Sequence, residues 1–116
     1  MVCRVWRGWT RADNAQSYDS YLQKELFPRL GRELQSHGYC GYQLLRMARG
    51  QEVEFMTMLW FDSIESVRSF AGENYETPVI SEKARSLLVR FADRADHYEL
   101  SGSDWSDASG RSLKTD

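Results

Sequence analysis

Residues 2–9 are rich in β-branched and aromatic side chains and run into turn-forming residues at 10–14, which predicts a first strand. Cys3, Val5, Arg7 and Trp9 share one face of it, and Val2, Arg4, Trp6 and Gly8 share the other. The period then changes. Ala15, Tyr18, Leu22 and Leu26 recur at spacings of three and four, with Tyr21 beside them, as on one apolar helix face. Asp13 or Asn14 is placed to cap that helix. Pro28 has no N–H to give a helix interior, so a kink or restart is expected there, with Leu30 and Leu34 continuing the face and Gly38 and Gly41 ending it.

Residues 39–48 and 52–60 predict a second and a third strand, joined by a tight hairpin at Arg49-Gly50-Gln51. Residues 62–71 predict a second helix. Asp62 and Glu65 form a capping-box-like pair, Ile64, Val67, Phe70 and Ala71 make its apolar face, and Gly72 stops it. An irregular stretch at 73–81 contains Pro78. Residues 82–88 suit a short helical piece and 89–100 a last strand, with Val89, Phe91, Ala95 and His97 on one face and Arg90, Ala92 and Tyr98 on the other.

This order is that of a split βαβ unit: an α+β, ferredoxin-like βαββαβ domain over residues 1–100, with an antiparallel sheet and helices on one of its faces. From residue 101 the composition shifts to Ser, Gly, Asp and Lys, with Trp105 and Leu113 the only large apolar residues, which predicts a flexible C-terminal tail over 101–116. The third strand creates a difficulty for a lone domain. Its run from Phe55 to Phe61 is apolar on both alternating faces, and Tyr42, Leu44 and Leu45 repeat that pattern in the second strand. Helices on one side leave the other apolar face bare. Packing it on the same face of a second copy gives a homodimer, a dimeric α+β barrel. The alternative is a monomer whose tail crosses the sheet.

Composition narrows the classes of function. A chain of 116 residues with 41% hydrophobic residues suffices for one core and no more. A net charge of −2 argues against a nucleic-acid partner. No apolar run approaches the roughly 20 residues of a membrane span, and Arg4, Arg7 and Arg11 interrupt any signal-peptide core, so no membrane association and a cytoplasmic location are expected. Cys3 and Cys40 lack CxxC spacing and fall on predicted strands, where they read as small buried hydrophobes.

Four segments carry a family likeness. They are Arg4-Val5-Trp6-Arg7-Gly8, Leu59-Trp60-Phe61-Asp62-Ser63-Ile64-Glu65-Ser66, Phe70-Ala71-Gly72-Glu73-Asn74 and Asp96-His97-Tyr98-Glu99-Leu100. With them, residues 2–100 resemble the antibiotic biosynthesis monooxygenase-like family of dimeric α/β barrels, which also includes haem-degrading enzymes. The resemblance implies a homodimer and the possibility of cofactor-independent oxygenation of a phenolic or polycyclic aromatic. Haem degradation is disfavoured. The axial His of those members has no counterpart in Tyr75-Glu76-Thr77-Pro78-Val79-Ile80, and their first-strand Asn is missing near Arg7 and Gly8. Related members carry a Tyr-Tyr-Pro-Glu-like stretch where Ile80-Ser81-Glu82-Lys83 stands here, so a role held by those tyrosines does not transfer.

HExxH, GxGxxG, P-loop and GxSxG signatures are absent, and His37 and His97 are too far apart in sequence to suggest a metal site. No cofactor is expected. His97 is the titratable group suited to act as a base, and Arg4, on the face of Trp6, is the cation suited to an anionic or phenolate oxygen. Trp6, Phe55, Trp60, Phe70 and Tyr75 are candidate walls for a small aromatic ligand, with Tyr98 a candidate ligand contact. The same residues also suit a non-catalytic barrel that binds a small apolar molecule or acts as a stress-response module.

Overall fold

The structure is a computed structural model that describes residues 1–106. Strands β1 (Val2–Arg11), β2 (Tyr39–Arg49), β3 (Glu52–Phe61), β4 (Leu88–Phe91) and β5 (Asp96–Glu99) form one antiparallel sheet in the order β2-β3-β1-β4. β5 pairs with the same edge of β1 as β4, against Val2–Val5, while β4 pairs against Gly8–Thr10. The last strand expected from the sequence is therefore two short strands. Long-range hydrogen bonds account for the break. Ala92 N–H donates to Arg7 O at 2.9 Å, and the Trp6 indole N–H donates to Ala92 O at 2.8 Å. Ala95 N–H leaves the sheet to donate to Glu76 O at 2.8 Å.

Helices α1 (Ala15–Tyr21) and α2 (Phe27–Leu34) continue one another through a π-helical turn, Leu22–Leu26. Pro28 is the cause. It sits in the first turn of α2, where its missing N–H is tolerated, and Phe27 N–H reaches back five residues to Leu22 O. Tyr18, Leu22 and Leu30 stay buried on one face through this widened turn, as the sequence spacing predicts. Neither Asp13 nor Asn14 caps α1 with its side chain; Asp13 instead pairs with Arg11.

α3 (Ile64–Ala71) is capped by Ser63, whose hydroxyl accepts from Ser66 N–H, rather than by the Asp62–Glu65 pair. Asp62 accepts from the Ser63 and Ser66 hydroxyls, and these bonds hold its carboxyl below the usual range. Gly38 fits beside them with a φ of 94°, and its carbonyl accepts from Asp62 N–H. A Cβ at Gly38 would overlap Ser66 Oγ and Asp62 Oδ1, so only glycine lets β2 begin against α3. α4 (Glu82–Leu87) starts at Ser81, which caps it and also bonds the Tyr21 hydroxyl of α1 at 2.7 Å.

Register assigns every strand residue to a face. Val2, Arg4, Trp6, Gly8 and Thr10 of β1 lie opposite Phe61, Leu59, Thr57, Phe55 and Val53 of β3 on the helix side. Tyr18, Leu22 and Val67 close that core from above. On the other side Cys3, Val5 and Arg7 lie opposite Trp60, Met58 and Met56. Leu45, Met47 and Tyr98 are exposed, so the second apolar face read from the sequence exists. Leu100, Ser101 and Gly102 border a groove on this face beside Cys3 and Val5. Residues 101–106 are exposed, and the remainder of the expected tail lies outside the described residues. Cys3 is buried as expected, but Cys40 is exposed; both are free thiols.

Among the described residues, no helix is long and apolar enough to cross a membrane.

Candidate functional site

The sheet and the helices do not meet everywhere. Between them lies a cavity of about 410 Å³ with Arg4, Trp6 and Thr57 on its floor and Tyr18, Leu22 and Leu30 on its helical side. Phe70 and the segment Pro78–Ser81 complete the wall. Its volume falls in the range of small-molecule sites. Arg29 and Glu33, both exposed on α2, are the charged groups that join Arg4 in the lining.

Arg4 is the unusual member. It is only 4% exposed, and among the described residues no carboxylate pairs with it. Its Nη1 donates to Tyr75 O and to His97 Nε2, the latter at 3.1 Å, and its Nη2 donates to Thr77 O at 3.1 Å. The Phe70 ring lies 5.5 Å from the guanidinium carbon. Burial pushes the guanidinium down to about 10, which leaves it charged at neutral pH. A buried charge held only by neutral acceptors is costly, because taking an ion out of water costs several kcal/mol that carbonyl dipoles return only in part.

His97 faces Arg4 across the β1–β5 pair. A guanidinium has only donors, so His97 Nε2 must be the accepting nitrogen and the ring proton resides on Nδ1. Burial lowers its pKa, and the Arg4 charge lowers it further. The ring packs edge-on against Tyr75 with centroids 5.0 Å apart.

This arrangement has a measurable sign. Because the folded His97 resists protonation more than the unfolded chain does, its neutral form favours the native state above the ordinary histidine pKa near 6.5. That contribution is lost as pH falls below that value. Urea midpoints are expected to drop between pH 7.5 and pH 5, and His97→Gln, which keeps an acceptor but cannot titrate, is expected to flatten part of the drop. An identical drop in both proteins would rule His97 out as its source.

Of the residues expected at a site, Arg4, Trp6 and Phe70 meet at the cavity, and His97 and Tyr75 stand behind Arg4 as its partners. Tyr75 is therefore not one of the cavity walls, and three more expected ligand contacts are elsewhere. Phe55 is fully buried core under Tyr18, with ring centroids 4.9 Å apart. Trp60 and Tyr98 are on the opposite sheet face, at the register positions of Cys3. Tyr18 and Thr57 also line the cavity without a sequence mark of a site, although Tyr18 belongs to the helix face that the 3–4 spacing identifies. Among the described residues no group of three or more His, Cys, Asp or Glu is placed to hold a metal ion.

No family model and no curated protein matches the chain. Among solved structures, that of Rv0793 from Mycobacterium tuberculosis is similar, with a TM-score of 0.52 at 20% identity over 88% of this chain and 96% of that one. The likeness concerns the fold, and it agrees with a ferredoxin-like α+β arrangement.

Proposed function

We propose that this protein is a homodimeric barrel that binds a small aromatic anion in the sheet–helix cavity, and that with a phenolic ligand it acts as a cofactor-independent monooxygenase of the antibiotic biosynthesis type. The observation that carries the reading is Arg4, buried without a carboxylate partner among the described residues and set in the wall of a largely apolar cavity. An anion entering there supplies the charge that Arg4 lacks, in surroundings where the attraction is weakly screened.

For a phenol the same contact lowers the ligand's pKa and favours the phenolate. The phenolate passes one electron to O2, the carbon radical and superoxide combine into a C–O bond at a ring C–H, and the resulting hydroperoxide takes up the proton first lost by the phenol and eliminates water with that ring hydrogen. One oxygen atom ends in the product carbonyl and the other in water, so no external reductant is required. His97 serves this scheme by aiming Arg4. Were it to take the phenol proton on Nε2, an imidazolium would stand beside the guanidinium, so the proton departs to water instead.

Oxygen uptake with quinol-type polycyclic phenols tests the chemistry, and thermal shift tests the binding. A ligand bound only by the folded chain raises the transition temperature. Binding without oxygen uptake would leave the second reading, a non-catalytic ligand-binding barrel. That reading draws on the engaged lone pair of His97 and on its place behind, rather than on, the cavity wall. No shift with any aromatic anion would remove both.

The homodimer rests on the apolar sheet face that carries Val5, Leu45, Met47, Met56, Met58 and Trp60. Light scattering is expected to give twice the chain mass, and Met58→Glu, at the middle of that face, to give the monomer.

A further inference from the structure

The hydrogen bonds of Arg4 leave a particular part of it unused. A guanidinium has five N–H donors in one plane. Both hydrogens of Nη1 are taken, by Tyr75 O and His97 Nε2, and one of Nη2 is taken by Thr77 O. Tyr75 and Thr77 lie two residues apart in a turn closed by Thr77 N–H on Asn74 O at 3.1 Å, and their carbonyls take Nη1 and Nη2, the two nitrogens of the terminal edge. The Nε–H and the second Nη2–H remain, without an acceptor among the described residues. These two hydrogens lie parallel on the side edge of the guanidinium and match the spacing of two oxygens of one carboxylate. Arg4 lines the cavity whereas Tyr75, Thr77 and His97 do not, so its bonded partners stand outside the cavity and the unbonded edge is the one left for a ligand there.

We propose, building on the anion-binding reading above, that the cavity recognises a monocarboxylate on an apolar ring system, with both carboxylate oxygens on the free Nε/Nη2 edge of Arg4. A phenolate offers one oxygen to this edge and leaves the other hydrogen buried and unpaired. A carboxylate satisfies both. The body of the ligand is set by volume: a cavity of about 150 Å³ accommodates benzene, so 410 Å³ suits two or three fused rings. Trp6 and Phe70 supply flat apolar walls for them. Arg29 and Glu33, exposed and of opposite charge, offset one another in the lining and leave Arg4 as its one buried charge.

Calorimetric titration of the full chain at pH 7.5 with 2-naphthoate, 2-naphthamide and 2-naphthol tests this. The three ligands share a ring system and differ in the group presented to Arg4. Naphthoate is expected to bind at least about tenfold tighter than the amide or the naphthol, the scale of discrimination set by charged hydrogen bonds. Arg4→Lys, which keeps the charge and loses the planar fork, is expected to remove most of that preference while circular dichroism confirms the fold. The wild-type series decides by itself if that variant does not fold. Equal affinity for naphthoate and naphthamide would overturn the carboxylate assignment. Tighter binding of naphthol would also overturn it and leave the phenolate reading standing. Failure of all three to bind would overturn both.

Discussion

Arg4→Ala is expected to abolish the preference for anionic ligands and to lower stability by about 2–4 kcal/mol. Three acceptors lose their donor: the carbonyls of Tyr75 and Thr77 and the Nε2 of His97. Hydrogen bonds to a charged donor are each worth about 1.5–3 kcal/mol in mutational series. Two effects reduce their sum. The loop carbonyls are only partly buried and regain water, and removal of the guanidinium relieves its own desolvation. The bonds of Arg4 bridge 71 to 93 residues of sequence, so the loss falls on the packing of the 73–81 loop against β1 and β5 rather than on any one element. Hydrogen exchange is expected to accelerate at Ala95 N–H, whose acceptor Glu76 O lies in that loop. Unchanged exchange there, with stability intact, would mean that Arg4 is not what holds the loop.

Phe55→Ala is expected to have the largest effect on the fold itself, about 3–5 kcal/mol. Phe55 has no exposed surface. Its ring packs edge-on with that of Tyr18, Arg46 lies over it at 5.2 Å, and the β1 residue opposite is Gly8, over which Leu88 packs. Alanine would open a void between β3 and α1 that this close-packed surrounding cannot fill, since the backbone of a central strand is fixed from both sides. Small domains hold only about 5–15 kcal/mol in total, so chemical denaturation should show the loss as a large fall in midpoint with little change in slope. Phe55→Leu, which keeps most of the volume, is expected to lose less than half as much. A cost below about 1 kcal/mol for the alanine variant would contradict the packing described.

The sequence by itself determined the order of elements as far as the last strand, whose division into β4 and β5 it did not show, and the alternating faces of β1, β2 and β3. Alternation has a period of two and helical faces a period near 3.6, so Arg4 and Trp6 had to share a face, and Tyr18, Leu22 and Leu30 had to share another. The doubly apolar β3 was legible for the same reason. Pro28 announced a disturbance in the first helix, because a missing N–H is a local fact, although its form as a π-helical turn was not legible.

The tertiary structure alone decided what lies between elements. Periodicity within one strand says nothing about which face of the next strand matches it; register does. Register placed Trp60 opposite Cys3 and Thr57 opposite Trp6, so one expected wall went to the far side of the sheet and an unremarked threonine joined the cavity. Phe55 and Trp6 share the helix side, yet Tyr18 covers the first and leaves the second on the cavity wall. The environment of Arg4 was the least legible part. Two of its three partners are backbone carbonyls, which every residue possesses and which therefore leave no mark in a sequence. Its place on the strand face was written in the chain, whereas the free edge of its guanidinium exists only because the 73–81 loop and β5 fold back on it from more than 70 residues away.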